Sequence, residues 1–536
     1  MGLCESVTKS NKKDLSNIQN NSTSNKNNIN NNIQNNNIQN NNENINKQSS
    51  LSEFTSNKQK IIINNEILLN RNLSEPDSIY KKIKKIGNGS YSEVWLVKHI
   101  TLQKTCAMKI IQKNNEIKNQ EEVILNEINI LKNLDHPNII KILDFFITEK
   151  NYIIICDYFS EGELYSELIK KKRFNEKECA FIMYQLFKAV NYYQSLCIIH
   201  RDLKPENIII SNKDENFYYI KLIDFGTAVI SGKNDKLEKL IGSSYYLSPE
   251  VILLNYNEKC DIWSCGIIMY VLLIGKSPFE GKENHEIIQN ILDFKFDNKN
   301  EFYNNLSNNC KDLMNKLLIY NKDQRITIKE AINHKFIQNF INENFYKIYK
   351  INDELIENYY INIINFKNNN IIKNFVNAYL VHNNIELNEC FEASKLFNII
   401  DMNGNGIIEN NEFIEGFKKY FKKNYQNNKI NEIFCFIDSD NNGLVEYEEF
   451  IRATINSRIF LSRNYLKFAF DYIDNEKNNK ITIFKLKEIF MKINKNHINN
   501  NEIENEIKNI FNKANINKKD FIDFMDFCNI MNNKNI

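Results

Sequence analysis

Apolar residues are sparse between residues 11 and 56, where Asn, Ser and Lys dominate. So little apolar surface cannot offset the entropy of ordering the chain, and this tract reads as disordered. Order begins near Tyr80: residues 81–86 and 92–98 read as strands around a glycine turn, and 105–111 follow as a third strand. The period then changes, because Val123, Leu125, Ile128 and Leu131 recur at helix spacing up to the breaker His136-Pro137. Strands first and helices afterwards predict an α+β chain with two lobes, one small and sheet-rich, the other larger and helical. After Phe336, helical segments flank acidic, Asn-rich, Gly-containing loops at a period of about 35–40 residues, which predicts repeated helix-loop-helix units in an all-α domain.

A chain of 536 residues exceeds what one hydrophobic core supports, so several domains are expected. Apolar residues make up 42% and charged residues 25%, with a mean hydropathy of -0.49, as in a soluble chain. Lysine and arginine (69) nearly balance aspartate and glutamate (67), so no basic footprint of a nucleic-acid partner is present. The 11 cysteines are scattered and never take the C-x-x-C spacing, which points to a reducing compartment. The most apolar stretch, 266–274, is about half a membrane span and reads as a buried helix. The N-terminus lacks a secretory signal.

Gly87-Asn88-Gly89-Ser90-Tyr91-Ser92-Glu93-Val94 joins two strands, and its glycines would let backbone approach triphosphate oxygens. By itself this is equally an ordinary hairpin turn. Lys109 in Ala107-Met108-Lys109 and Glu127 on the following helix could pair to hold nucleotide phosphates, although either alone could be a surface charge. More specific are Ile199-His200-Arg201-Asp202-Leu203-Lys204-Pro205-Glu206-Asn207 and, after an apolar strand, Asp224-Phe225-Gly226.

These motifs resemble the eukaryotic protein kinases over residues 80–337. The resemblance implies that Asp202 orients the substrate hydroxyl and takes its proton, Lys204 neutralises the moving phosphoryl, and Asn207 and Asp224 hold Mg2+ on ATP. It implies a nucleotide pocket drawn from Ile86, Gly87, Gly89, Val94, Ala107, Lys109, Asp157, Tyr158 and Glu163, with Cys156 deep inside it. His200, Glu250, Asp261 and Arg325 are expected to be structural. Lys204 and Gly242-Ser243-Ser244-Tyr245-Tyr246 match serine/threonine rather than tyrosine kinases, and Glu163 with Glu206 match positions that face a basic residue in the substrate. Two departures stand out: Ser92 replaces the third glycine, and Lys239 occupies the activation position often held by a phosphorylatable threonine or an acid, which leaves the partner of Arg201 open.

Residues 401–412 fit the twelve-residue EF-hand loop, with Asp401, Asn403, Asn405, the Ile407 carbonyl and Glu412 as Ca2+ ligands and Gly406 at the turn. Residues 438–449 repeat it with Asp438, Asp440, Asn442, the Leu444 carbonyl and Glu449. Ile408 is expected to pair with the partner loop. Loop 474–485 puts Asn479 at the glycine position and Lys485 where the bidentate acid belongs; loop 515–526 carries Lys519 at position five and the shorter Asp526 at the end. Both are expected to be structural hands without tight calcium.

A kinase followed by four such repeats resembles the calcium-dependent protein kinases of plants and apicomplexan parasites. The expected division is a leader over 1–78, the kinase over 80–337, a junction over 338–388, and EF-hands over 389–424, 425–460, 461–496 and 502–536. The resemblance implies that the junction blocks activity at rest and is captured by the EF-hands when calcium rises. Residues 366–376 resemble its core, although a plain linker helix is an alternative. Met1-Gly2-Leu3-Cys4-Glu5-Ser6 fits an N-myristoylation signal at Gly2, with Cys4 as a palmitoylation site and Lys9, Lys12 and Lys13 in support. The expectation is a monomeric cytoplasmic kinase held on a membrane through its acylated N-terminus, acting on proteins with Ser/Thr near basic residues and on no nucleic acid. Alternatives are a calcium-dependent scaffold without catalysis and a kinase controlled by separate calmodulin.

Overall fold

A computed structural model describes residues 76–88, 92–114, 120–214, 217–232, 237–348, 353–366, 371–383, 388–423, 425–474, 476–493, 500–513 and 521–532. Gly2, Cys4, the Asn-rich tract and Gly89 lie outside the described residues.

Strands β1 (Tyr80–Asn88), β2 (Ser92–His99), β3 (Thr105–Gln112), β4 (Ile142–Ile147) and β5 (Asn151–Asp157) form one antiparallel sheet in the order β1-β2-β3-β5-β4. The period-two pattern sends Val97, Met108 and Ile155 inward, where they meet Tyr80 and Phe146 in a small core. The register places Gly87 opposite Val94, Val94 opposite Lys109, and Ala107 opposite Cys156. Helix α1 (Gln120–Lys132) crosses beside the sheet and buries Ile124, Ile128, Ile130 and Leu131, so the buried stripe keeps Ile128 and Leu131 of the expected set while Val123 is exposed.

The larger lobe is built around α2 (Glu176–Ser195) and α3 (Lys259–Ile274). Asn175 and Glu178 close a capping box at the start of α2. Helix α3 contains the apolar stretch noted in the sequence and is buried on every side, hence its lack of a polar face. It stops at Gly275, whose φ of +87° suits glycine; a Cβ there would come within 2.5 Å of the Lys172 carbonyl. Among the described residues no helix is long and apolar enough to cross a membrane. None of the ten described cysteines is in a disulfide.

Helix α4 (Lys335–Ile348) runs through position 337, where the sequence set the kinase boundary, and Phe340, Ile341 and Ile348 still belong to the large-lobe core. After it, α5 (Asp353–Asn365) and α6 (Ile371–His382) enter a separate core with the EF-hand helices. Helices Asn388–Ile400 and Asn410–Phe421 flank the first loop, and Asn427–Ile437 and Tyr447–Thr454 the second. The third and fourth hands are flanked by Arg463–Ile473 and Ile483–Ile493, then Asn500–Lys513 and Phe524–Asn532. Each pair of loops is joined by a two-residue antiparallel ladder, Ile408 opposite Val445 in one and Ile481 opposite Ile522 in the other.

Candidate functional site

The cleft between the lobes gathers residues far apart in sequence. Lys109 Nζ, on β3, lies 3.1 Å from Glu127 Oε1 on α1 and 3.4 Å from Asp224 Oδ1. Burial works against the Lys109 charge, but Asp224 and Glu127 together hold its pKa above the ordinary lysine value. Lys109 in turn holds the Asp224 carboxyl below its usual range, so that group stays ionised at the cleft. Asp224 has a φ of +64°, a left-handed backbone that costs energy in a non-glycine residue and swings its carboxylate toward Lys109. Phe225 anchors that turn, fully buried with its ring 4.7 Å from that of His200.

Asp202 is held from three sides. Its Oδ2 accepts from Lys204 Nζ at 2.6 Å, and its Oδ1 accepts from the Ser243 amide and hydroxyl at 2.9 and 2.8 Å. Asn207 Nδ2 donates to the Asp202 carbonyl at 2.8 Å, so Asn207 braces the loop on which Asp202 sits. Underneath, buried Asp261 accepts from the His200 and Arg201 amides and from the Tyr193 hydroxyl. Glu250 and Arg325 form a buried two-pronged pair, 2.5 and 2.9 Å. Ser243 lies in a motif the sequence singled out, but only the folded geometry reveals its bonds to Asp202 and to Lys204.

Arg201, whose partner the sequence left open, donates to the Thr227 carbonyl at 2.7 Å and to the Tyr256 hydroxyl at 3.3 Å. Tyr256 then donates to the Lys239 carbonyl at 3.0 Å, tying the activation segment to the catalytic loop through neutral groups. Nothing local in the sequence marks Tyr256 for this.

The remaining pocket residues divide. Ile86, Gly87, Val94 and Ala107 lie on β1–β3 around Lys109. The Asp157 side chain is taken up by Lys104 at 2.8 Å in a buried pair, which leaves the backbone of Asp157 and Tyr158, at the end of β5, as the polar edge of the pocket. Burial pushes the Cys156 thiol up to about 12. Burial, then the neighbouring Glu206, raise the Glu163 carboxyl, and Glu206 Oε2 is buried with no hydrogen-bond partner among the described residues. Two neighbouring carboxylates of this kind suit a nearby cation. Beside the Ser243–Tyr246 segment, an open groove of about 840 Å³ is lined by Tyr245, Lys276, Ser277, Lys282 and His285.

The two complete EF-hand loops share one internal scaffold. In the first, Asp401 accepts from the Asn405 and Gly406 amides, Asn405 Oδ1 accepts from the Ile407 amide, and Glu412 Oε1 accepts from the Asn403 amide. In the second, Asp438 accepts from the Gly443 amide, Asn442 Oδ1 from the Leu444 amide, and Glu449 from the Ser439 and Glu446 amides. Carboxylate oxygens of Asp438, Asp440 and Glu449 all lie within 4.8 Å of one another. Burial and then the charge of Glu449 push Asp438 up to about 7. A hard cation relieves that crowding, so these oxygen donors fit calcium.

The third loop keeps the shape and loses the charge. Asn479 takes the left-handed turn at φ +58°, and Asp474 accepts from the Asn478 and Asn479 amides. At the twelfth position, Lys485 Nζ reaches Glu476 Oε1 at 3.6 Å, so the loop supplies its own cation. In the fourth, positions 515–520 lie outside the described residues, and Asp526 and Asp523 exchange bonds with each other's backbone amides.

Fold and cleft together define a protein kinase that carries an EF-hand domain on the same chain. The model of the protein kinase domain matches residues 80–337. Calcium-dependent protein kinase 4 of Plasmodium berghei (strain Anka) is 31% identical over 424 residues, covering 77% of this chain and 79% of that protein. Calcium-dependent protein kinase 5 of Plasmodium falciparum (isolate 3D7) is 30% identical over 490 residues, covering 91% and 83%. Calcium-dependent protein kinase 3 of Plasmodium berghei (strain Anka) is 30% identical over 447 residues, covering 83% and 78%. The chain belongs to the calcium-dependent protein kinase family, which implies serine/threonine kinase activity under calcium control, with ATP, Mg2+ and Ca2+ as its small partners and proteins as its substrates.

Proposed function

We propose that the chain transfers the ATP γ-phosphoryl group to Ser/Thr of proteins when calcium fills the loops at 401–412 and 438–449. The observation that carries this reading is the assembled cleft, with Lys109 on both Glu127 and Asp224 and Asp202 braced by Lys204 and Ser243. Magnesium, when bound, neutralises phosphate oxygens, and Asn207 and Asp224 are the residues that would hold it. Lys109, fixed by Glu127, grips the nucleotide phosphates; Asp202 orients the substrate hydroxyl and takes its proton; Lys204 steadies the negative charge that develops beside it. A scaffold without catalysis is disfavoured, because Lys109, Asp202 and Asp224 are all present, with Lys109 paired to Asp224 and Asp202 braced by Lys204 and Ser243.

The junction belongs to this reading as a conditional inhibitor. Ile372, Phe375, Val376 and Leu380 of α6 are buried in the sensor core, which suits the captured form, in which the cleft is left to the substrate. Glu163 and Glu206 favour substrates with a basic residue before the target serine, and peptides with and without that residue being phosphorylated alike would end this part. The third and fourth hands hold their fold without tight calcium. Acylation at Gly2 and Cys4 would place a monomeric cytoplasmic enzyme on a membrane face, and a Gly2→Ala chain with unchanged membrane partition would contradict it. Transfer to a basic serine peptide, lost both in chelator and in Asp202→Asn, tests the whole.

A further inference from the structure

The large lobe of the kinase touches the first calcium loop through one face of α2. Lys188 Nζ lies 3.0 Å from Asp401 Oδ2, with side-chain exposures of 1% and 0%, and 3.0 Å from Asn398 Oδ1. Asn191 Nδ2 donates to the Gly404 carbonyl at 3.0 Å. Gly406 is pressed against the stacked rings of His136 and Tyr192, where a Cβ would come within 2.7 Å of both. Ile407 packs onto the large-lobe core. The loop thus meets the kinase through its lead ligand and through the glycines that shape its turn.

A buried ammonium is costly unless it is paired. The group that pairs with buried Lys188 is Asp401. Asp401 is also the first ligand of the loop, which in all brings two ligand carboxylates, Asp401 and Glu412, against this one lysine. The second loop brings three, Asp438, Asp440 and Glu449, and its nearby cation, Arg452, comes from its own hand, 3.6 Å from Glu449. Affinity in oxygen loops follows the count of ligand charges. A neighbouring cation that occupies a ligand subtracts from that count.

We infer that Lys188 sets the calcium affinity of the first loop. Resting on the reading that this loop binds calcium, it makes the loop the weaker site while the sensor is seated on α2, and calcium in the loop loosens that seat in return, because coupling between two binding events is reciprocal. The second loop fills first, and the first loop reports whether the sensor is docked.

Calorimetry on the full chain tests this in a Glu449→Gln background, which silences the second loop. There, Lys188→Met tightens the remaining calcium site about five-fold or more, whereas Lys188→Arg changes it by less than about two-fold. Equal affinity for the Met variant and unmutated Lys188 overturns the inference, as does an equal shift for Met and Arg. Absence of calcium binding with both Lys188 and the Met variant contradicts instead the reading that the first loop is a calcium site. If the Met variant does not fold, acetylation of Lys188 in the unmutated chain decides, read by mass spectrometry. It rises several-fold in saturating calcium over chelator, and labelling that stays equal, in a chain calorimetry shows to bind two ions, overturns the inference.

Discussion

Among the described residues, two loops of the sensor meet a lysine, and the lysines come from different places. In the third loop it is Lys485, part of the loop itself, 3.6 Å from Glu476 and standing where the bidentate acid would be. In the first it is Lys188, from a helix of the kinase, 3.0 Å from Asp401. A cation built into the loop is permanent, and that hand is left with a structural task, pairing Ile481 with Ile522 of its neighbour. A cation lent by another domain leaves with that domain. The first loop therefore retains its ligands and trades affinity for information about where the sensor sits.

The largest effect expected is on the core that carries both loops. Phe375 is fully buried among the sensor helices, so Phe375→Ala costs about 3–5 kcal/mol there. Thermal unfolding should separate into an early sensor transition and an unmoved kinase transition. A single shifted transition would mean that the two cores melt as one, and that the seat on α2 cannot be released without unfolding.

Next in size, Glu449→Gln removes a carboxylate from the three gathered in the second loop, and calcium affinity there falls on the order of a hundred-fold. Calorimetry should lose its tighter site and keep the weaker one. Losing the weaker site instead would reverse the assignment of the two loops.

Gly406→Ala comes third. A φ of +77° and the rings of His136 and Tyr192 at 2.7 Å make any Cβ there costly, by about 1–3 kcal/mol. The loss should appear as faster hydrogen exchange where the loop meets α2, and unchanged exchange would show that the loop does not press on the kinase.

The smallest effect is a gain. Lys485→Glu replaces the built-in cation by an acid, and a third calcium site should emerge with a Kd of about 10⁻⁴–10⁻³ M. If none emerges, Lys485 is not what silences the third loop.

Much of this was legible in the sequence because its determinants are local. Short strand-forming runs around a glycine turn located β1–β3 to within a residue or two at their ends, and ligand spacing marked the loops at 401–412 and 438–449, whose turns need Gly406 and Gly443 at φ +77° and +82°. Motif order likewise pointed to Lys109, Glu127 and Asp224, which meet as two ion pairs on one lysine. What was not legible depends on packing between segments distant in the chain. Lys188 stands in the middle of a helix like any surface lysine and finds Asp401 more than two hundred positions on. Lys104 bonds Asp157 at the end of β5 and also the Asn383 carbonyl at the end of the junction, which no local pattern encodes. Tyr256 holds Arg201 where the local sequence offers only Lys239. Side chains of this kind obtain their roles from the docking of one domain on another, and docking leaves no periodic trace.

The most direct measurement is phosphate transfer to a serine peptide with an upstream arginine, run on the full chain in calcium and in chelator, with Asp202→Asn beside it. Transfer that appears in calcium, vanishes in chelator, and is absent from the Asp202→Asn chain in both is the expected result. Transfer that is equal in calcium and chelator, or that survives Asp202→Asn, would contradict a kinase governed by its own calcium loops.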